Sequence, residues 1–182
     1  TEEDFVWISV GRLIQAKDYP NLLRAFAQIM ISGAKVELWI AGYGDAVYEA
    51  ELRAFAQKLG IEAQVRWLGS RRDIPALLDA ADGFVLSSAW EGMPLALGEA
   101  MAMRKLVVAT DVGGVREMMG DTGGLVRAGD SGLLADTMGR MMVLSDIDKA
   151  RIGEAARVRV LERFSMEAKA REWEEVYRSV QS

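Results

Sequence analysis

Two carboxylates lie within a segment that is otherwise almost wholly apolar. The segment is Ser87–Ala102, SSAWEGMPLALGEAMA, and it contains Glu91 and Glu99. A carboxylate is rarely found in apolar surroundings unless it is paired or takes part in chemistry. The chain has no histidine and no cysteine, so any acid–base step depends on carboxylates, on the substrate or on sequence outside the chain. The two glutamates are therefore the first candidates for a functional role.

Cations and glycines follow several of the strands that the sequence predicts. These residues are Gly11, Arg12 and Lys17, then Gly42 and Gly44, then Arg71 and Arg72, and finally Gly113 and Gly114. Any one of them alone is better explained by a tight turn or a solvated surface charge. Together with the segment of the two glutamates, they make five polar or glycine-rich loops at one edge of one sheet. That arrangement favours a phosphorylated ligand, which helix N-termini and backbone N–H groups would bind.

Six short apolar runs, rich in β-branched and aromatic residues, predict the strands that carry these loops. The runs are Phe5–Val10, Val36–Ala41, Val65–Leu68, Gly83–Leu86, Leu106–Ala109 and Gly124–Val126. Helix-like segments separate most of them, and this alternation predicts a parallel sheet covered by helices on both faces. The predicted fold class is α/β, a Rossmann-like doubly wound sheet of about six strands, followed from about Leu133 by helices only. Residues 1–182 are expected to form a single domain.

Local sequence signals predict where two of the helices end or begin. Gly60 is placed to end the helix that follows the second strand, because glycine readily adopts the left-handed conformation found there. Asp73 is a candidate N-cap for the helix after the third strand, with Pro75 in its first turn.

Composition narrows the class of protein and of partner. The chain has 182 residues, of which 51% are hydrophobic and 27% charged, and its net charge is −5. Because its Lys and Arg residues are dispersed, nucleic acid and anionic membrane surfaces are not expected as main partners. No apolar run is long enough to span a membrane, and the acidic start, TEEDFVWISV, is unlike a signal peptide. We therefore expect a soluble, cytoplasmic protein.

Five motifs in order resemble one enzyme family. They are VGRLIQAKDYPNLLRAF, LWIAGYGD, VRWLGSRRDIPALLDAAD, SSAWEGMPLALGEAMA and VVATDVGGVRE. This order is similar to the C-terminal half of retaining glycosyltransferases of the glycogen-synthase-like, family-4 (group 1) type, which have the two-domain GT-B fold. The resemblance runs from roughly Val6 to the C-terminus and includes the family's pair of glutamates separated by seven residues, here Glu91 and Glu99.

The resemblance implies a role for each candidate residue. Arg12 and Lys17 match the family's cation pair on the donor diphosphate, where they would neutralise the leaving group; with Glu91 they are the predicted catalytic residues. Glu91 would face the hydroxyls of the donor sugar, and Glu99 would accept hydrogen bonds from the ribose. The remaining donor-binding residues expected from the resemblance are Gly11, Arg71, Gly92, Met93, Pro94, Leu95, Gly113 and Gly114. Pro94 is expected in the first turn of the helix that carries Glu99.

Two features of that helix leave its interpretation open. Glu99 could instead be a structural residue paired with a nearby cation such as Arg104. Gly98 departs from the family, which commonly carries a larger apolar residue before the second glutamate. Because glycine inside a helix costs about 1 kcal/mol, we expect close packing or close approach of a ligand at this position.

The resemblance also implies what lies outside this chain. It assigns the chain to the donor-binding half and the acceptor to an absent N-terminal domain, and the acidic start at Thr1 agrees with an excised domain. The partners implied are a nucleotide-sugar donor, with no metal or other cofactor, and an acceptor sugar or lipid-linked glycan. Donor binding without turnover is expected of this chain, and the whole enzyme is expected in the cytoplasm or at the inner membrane face. In the family the C-terminal helix returns to the other domain, so aromatics in Ser165–Val180 are expected to be unusually exposed.

Three alternatives remain at the level of sequence. A GT-B nucleotide-sugar epimerase shares the fold, but Arg12, Lys17, the paired glutamates and VGGVRE together favour a transferase. A nonenzymatic nucleotide-binding module would fit if this chain were complete. A dinucleotide oxidoreductase is disfavoured, because the Gly42-x-Gly44 pair lacks a third glycine and follows the second strand rather than the first. The acceptor, the linkage, and the base and sugar of the donor stay open.

Overall fold

The computed structural model describes residues 4–180, which form alternating strands and helices. The strands are β1 Phe5–Val10, β2 Val36–Ala41, β3 Val65–Gly69, β4 Gly83–Leu86, β5 Leu106–Thr110 and β6 Gly124–Val126. The helices are α1 Tyr19–Ile31, α2 Ala46–Lys58, α3 Ile74–Ala80, α4 Leu95–Ala102, α5 Val115–Met119, α6 Ser131–Met142, α7 Asp146–Phe164 and α8 Met166–Val180. Two short 3₁₀ turns, Gln15–Lys17 and Glu62–Gln64, complete the order. The acidic start at residues 1–3 lies outside the described residues.

All six strands belong to one parallel sheet with the order β3-β2-β1-β4-β5-β6. The predicted fold class is confirmed, and each predicted strand is present, with β3 and β5 one residue longer than expected. The order reverses between β1 and β4. In doubly wound sheets such a reversal leaves a crevice beyond the carboxyl ends of the two strands, because their connections leave toward opposite faces.

The strands are buried on both faces because helices cover the sheet on each side. One apolar layer packs residues of α1, α2 and α6 against Trp7, Leu38 and Val85 of the sheet. The other packs residues of α3, α4, α5 and α7 against Ile8 and Phe84. Since successive side chains of a strand point to opposite faces, the apolar runs are almost continuous rather than alternating.

Two of the predicted helix-end residues, Gly60 and Pro75, lie as predicted, whereas Asp73 and Pro94 differ from the prediction. Gly60 adopts φ of +73° directly after the C-cap of α2, as predicted. Asp73 lies at the N-cap position of α3 but makes no capping hydrogen bond. Its carboxylate instead accepts from Arg71, whose Nε lies 2.8 Å from Oδ1. Pro75 is in the first turn as expected, whereas Pro94, with ψ of 95°, precedes α4 instead of lying in its first turn.

The last helix packs on α7 and presents most of its surface to solvent. Ala168 is buried, whereas Trp173, Val176 and Tyr177 are 61%, 51% and 64% exposed. The predicted exposure of aromatics on this helix is confirmed for the part of the chain that the structure describes. Across the same residues, no helix combines the length and apolar character that crossing a membrane requires.

Candidate functional site

An open cavity of about 380 Å³ lies at the carboxyl edge of the sheet, beyond the ends of the neighbouring strands β1 and β4. Its charged lining residues are Arg12, Lys17, Glu91 and Glu99. The rest of the lining consists of Val10, Gly11, Ile14, Ala16, Leu86, Trp90, Pro94, Leu95 and Ala96. The structure thus brings together both predicted cations and both predicted carboxylates, from two stretches of the chain that lie far apart in sequence.

Lys17 and Glu91 form an ion pair inside this cavity. The ammonium Nζ of Lys17 lies 2.5 Å from Oε1 of Glu91, and the two side chains are only 20% and 11% exposed. The hydroxyl of Ser88 donates to the same Oε1 at 2.6 Å. Oε2 has no hydrogen-bond partner among residues 4–180. One carboxylate oxygen of Glu91 is therefore committed to the protein, and the other is available to a ligand.

Hydrogen bonds between the loops after β1 and β4 hold the backbone at Lys17. The hydroxyl of Ser87 donates to the carbonyl of Lys17 at 2.8 Å, and the amide of Ala89 donates to the carbonyl of Ala16 at 2.8 Å. The stem of Lys17 passes close to Gly11, where an added Cβ would lie 3.2 Å from Cε of the lysine. Gly11 therefore leaves the room that the lysine uses.

A buried tyrosine, Tyr19, holds the carbonyl of Gly11 in place. The hydroxyl of Tyr19 donates to this carbonyl at 3.1 Å. Burial raises the pKa of Tyr19 well above its usual range, so the phenol stays neutral and remains a donor. The same carbonyl lies against Gly42, where a Cβ would come within 1.8 Å of it. Gly42 is thus explained by the contact between two loops and not by a phosphate.

Arg12 and Glu99 lie on the cavity without partners of their own. Both residues are exposed, and within residues 4–180 neither forms an ion pair. The alternative that Glu99 pairs with Arg104 is wrong, because Arg104 forms its ion pair with Glu154 of α7. An unpaired carboxylate and an unpaired guanidinium on one cavity are both available to a polar ligand.

The N-terminus of α4 also lies at the cavity. No side chain caps this helix, and Leu95 and Ala96 of its first turn are lining residues. The first N–H groups of a helix have no partner within the helix and carry a partial positive charge. This helix end therefore adds an anion-binding element to the two cations.

Four predicted residues, Gly92, Met93, Gly113 and Gly114, lie next to the site without lining its cavity. Gly113 has φ of +50°, and a Cβ there would lie 1.8 Å from the carbonyl oxygen of Glu91. Gly114 donates its amide to the carbonyl of Gly92 at 3.0 Å. Met93 is exposed and lies against Gly114, where a Cβ would be 3.5 Å from its Cε. The glycine pair after β5 thus allows the loop of Glu91 and Gly92 to approach closely.

Two further predicted positions lie away from the cavity. Arg71 follows β3, two strands from β1, and its guanidinium binds the carboxylate of Asp73, with NH2 2.5 Å from Oδ2. That hydrogen bond lowers the pKa of Asp73. Gly98 faces the core, where a Cβ would meet Met118 and Val160 at 3.5 Å and 3.7 Å. Close packing, not ligand approach, therefore surrounds Gly98, although a methyl group would fit.

Sequence reasoning missed the contact between Lys17 and Glu91 and the roles of Ser87 and Ser88. The partners in the ion pair are 74 positions apart, and no local pattern links them. The signal that could have been used is the pair of serines directly after the fourth strand, three residues before the glutamate. No cluster of three or more carboxylate, histidine or cysteine side chains that could hold a metal ion occurs within residues 4–180.

The fold is that of one Rossmann-like half of the GT-B glycosyltransferases, and comparison of the sequence identifies the family. Residues 4–143 match the family described as glycosyl transferases group 1. The chain therefore belongs to this family. This membership removes the dinucleotide oxidoreductase from the alternatives.

Relatives of known name and structure agree with this assignment. The chain is 31% identical to the N-acetyl-alpha-D-glucosaminyl L-malate synthase of Bacillus anthracis, over 99% of this chain and 47% of the relative. It is 30% identical to Anabaena HepE, solved in complex with UDP and glucose, with a TM-score of 0.87 over 97% of this chain and 49% of HepE. A C-terminal domain of a group 1 glycosyl transferase, LpcC of Francisella tularensis, shares the fold at 22% identity, with a TM-score of 0.79 over 90% of this chain and 88% of that domain. The chain thus spans about half the length of the curated relative and of HepE.

Proposed function

We propose that this chain is the C-terminal, donor-binding half of a retaining, metal-independent glycosyltransferase that moves a hexosyl group from a nucleoside-diphosphate sugar to an acceptor. The observation that carries the proposal is the cavity between β1 and β4. It combines two cations, two carboxylates and an uncapped helix N-terminus at the reversal point of a Rossmann-like sheet. A ligand with a diphosphate between two hydroxyl-bearing sugars matches these groups one for one.

In this proposal the cations act on the diphosphate. Transfer breaks the bond between the anomeric carbon and a phosphate oxygen, and the electron pair stays on the leaving diphosphate. The acceptor oxygen forms the new bond, and its proton passes to the departing oxygen of the leaving diphosphate. Arg12 and Lys17, with the N-terminus of α4, stabilise the negative charge that grows on the leaving group. This supply of fixed positive charge is the reason to expect no requirement for a metal ion.

The carboxylates act on the two sugars of the donor. Glu99 is exposed, lines the cavity and has no ion-pair partner within residues 4–180, and in this proposal it accepts hydrogen bonds from the ribose hydroxyls. Glu91 accepts from hydroxyls of the transferred sugar through its available Oε2. Support for a nucleotide-sugar donor comes from the similarity to HepE, a relative solved with UDP and glucose.

The acceptor belongs to the part of the enzyme that this chain does not contain. The chain covers 47% of the Bacillus anthracis N-acetyl-alpha-D-glucosaminyl L-malate synthase. We therefore propose that an N-terminal domain completes the cleft and that this half alone binds donor without turnover. An acceptor sugar or lipid-linked glycan, and a location in the cytoplasm or at the inner membrane face, stay predictions from the family. A GT-B epimerase would differ by converting the donor sugar in the absence of any acceptor.

The first prediction tests the division of labour between the cations and Glu99. Lys17→Ala should lower the affinity for a nucleoside diphosphate about tenfold to a hundredfold, because a charge-assisted hydrogen bond contributes about 1.5–3 kcal/mol. The affinity for the free nucleoside should stay almost unchanged. Glu99→Gln should weaken both ligands, since both contain the ribose. The measurement is calorimetric titration with UDP, GDP and ADP, their sugar esters and the nucleosides, with and without EDTA. Equal losses of both ligands on Lys17→Ala would contradict the proposal, as would failure of the wild type to bind any nucleotide.

A further inference from the structure

Glu91 places a negative charge where the proposed function needs a positive one. Its Oε1 lies 2.5 Å from the ammonium of Lys17, the cation assigned to the diphosphate. Both side chains are largely buried in the wall of the cavity. A site selected only for tight binding of a diphosphate would leave this ammonium uncompensated, because the carboxylate lowers the attraction of the lysine for any anion.

The charges lining the cavity balance. Arg12 and Lys17 are opposed by Glu91 and Glu99, and the other lining residues are uncharged. An anionic ligand therefore gains from the placement of each charge and not from the overall charge of the cavity. Glu91 is the carboxylate in direct contact with a cation, whereas Glu99 has no ion-pair partner in the described part of the chain.

The intact donor and the free nucleoside diphosphate differ in two properties that affect their interaction with Glu91, namely their charge and the presence of sugar hydroxyls. A free nucleoside diphosphate ends in a phosphate monoester, whose second ionisation has a pKa of about 6. Esterification with a sugar removes that ionisation, so the intact donor carries about one negative charge less at neutral pH. The intact donor also brings hydroxyl groups that can donate to Oε2 of Glu91, which has no partner within residues 4–180.

We propose that Glu91 is the residue that makes this cavity prefer an intact nucleoside-diphosphate sugar over the free nucleoside diphosphate. The inference rests on the proposed function and adds a specificity role to it. Glu91 repels the additional charge of the free diphosphate and competes with it for Lys17. The intact donor meets less repulsion and offsets it by hydrogen bonds to Oε2. The spent nucleotide is therefore bound more weakly, which favours its release after transfer.

Ser88 keeps the carboxylate in the orientation that this role requires. It is fully buried, and its hydroxyl donates to Oε1 at 2.6 Å, the same atom that receives Lys17. Its carbonyl accepts from the hydroxyl of Thr110 at 2.6 Å, which fixes the backbone at Ser88. Because Oε1 is bound by two donors, Oε2 is the oxygen that remains available to a ligand. Ser88 is thus a positioning residue that acts through Glu91.

The test compares two affinities in each of two variants and a control. Glu91→Gln keeps the shape of the side chain and an acceptor for Ser88 but removes the charge. We expect it to bind UDP about tenfold more tightly than the wild type, because a unit charge a few ångströms away is removed from a partly buried site. The affinity of this variant for UDP-glucose should rise by less than its affinity for UDP, or should fall. The reason is that hydrogen bonds from the sugar to a carboxylate are replaced by weaker ones to an amide. The preference for UDP-glucose over UDP should therefore fall about tenfold.

A second variant and a control separate this role from folding and from net charge. Ser88→Ala keeps every charge, so the affinity for UDP should stay within about twofold of the wild-type value. The affinity for UDP-glucose should fall severalfold, because Glu91 loses the hydrogen bond that orients it. Glu62→Gln removes one exposed carboxylate before β3, at the opposite edge of the sheet, and should change neither affinity. The measurement is titration calorimetry of UDP and UDP-glucose, repeated with GDP and GDP-mannose, at two salt concentrations.

The outcomes distinguish the inference from the proposed function. A wild type that binds neither pair of nucleotides overturns the proposed function and the inference with it. A wild type that binds, with a Glu91→Gln variant whose UDP affinity is unchanged or lower, overturns the inference alone. Higher salt should narrow the difference between wild type and Glu91→Gln for UDP, because screening weakens the repulsion.

Discussion

Single residues at this site are fixed by neighbours distant in sequence, and the clearest case is Glu91. Its carboxylate is held by Lys17 and Ser88, and its carbonyl oxygen lies against the Cα of Gly113. Gly113 has φ of +50° and no room for a Cβ. Gly113, which the sequence predicts as a donor-binding residue, therefore also allows the backbone of Glu91 to approach closely.

The contact at Gly113 leads to a prediction with a matched control. Gly113→Ala should lower the affinity for the nucleotide sugar at least tenfold and lower the free energy of unfolding by about 2 kcal/mol or more. The substitution strains the backbone at position 113 and also forces the loop of Glu91 to move. Gly129→Ala meets the same kind of strain, with φ of +73°, but has open space around it. It should cost about 1 kcal/mol and leave nucleotide affinity unchanged. Chemical denaturation and titration of both variants make the comparison, and equal effects on affinity would contradict the role of Gly113.

Among the elements, α4 joins the core to the cavity. Its buried face places Leu97 and Met101 in one apolar layer, while Leu95, Ala96 and Glu99 line the cavity. Gly98 lies on the core side, against Met118 and Val160. The helix therefore orients Glu99 rigidly because its other face is packed against the sheet and α7.

Gly98 offers a way to strengthen this helix without touching the cavity. A Cβ there would make ordinary contacts, the nearest at 3.5 Å from Sδ of Met118, so Gly98→Ala should raise the free energy of unfolding by about 1 kcal/mol. Gly139→Ala in α6, where a Cβ would meet nothing within 4 Å, gives the gain from helix propensity alone and should be similar. Thermal and urea unfolding measure both. A loss of stability in Gly98→Ala alone would show that the packing around α4 does not accept a methyl group.

The elements were predictable from sequence to the extent that one segment determines each of them. Six apolar runs gave all six strands, since a strand covered on both faces needs apolar residues throughout its length. Prediction was less accurate where two segments compete or meet. Asp73 could not be recognised as the partner of Arg71, because an N-cap and an ion pair use the same carboxylate. The contact between Lys17 and Glu91 depends on β1 and β4 being neighbours, which is a property of the sheet and not of either motif.

At the scale of the whole molecule, the last two helices, α7 and α8, differ in how much of their surface is buried. α7 is anchored by Ala156 and Val160 in the core, and Arg159 donates to the carbonyl of Met118 at 2.8 Å. Over residues 166–179, whose burial the structure describes, α8 contributes one buried residue, Ala168. It carries Trp173 and Tyr177 as exposed neighbours with ring centroids 6.1 Å apart. Since the chain spans 47% of its curated relative, the exposed face of α8 is the surface that we expect the rest of the enzyme to cover.

This expectation can be tested by measuring one substitution in two lengths of protein. In the chain described here Trp173→Ala should cost less than about 1 kcal/mol of unfolding free energy, because 61% of this residue is already exposed. Trp7→Ala, at a residue with no exposed surface, should cost about 3–5 kcal/mol and serves as the buried reference. In a protein extended to the full length of its relatives, Trp173→Ala should become clearly more costly, because covering an aromatic side chain removes a large apolar area from water. An equally small cost in both lengths would show that α8 stays exposed and that the two halves meet elsewhere.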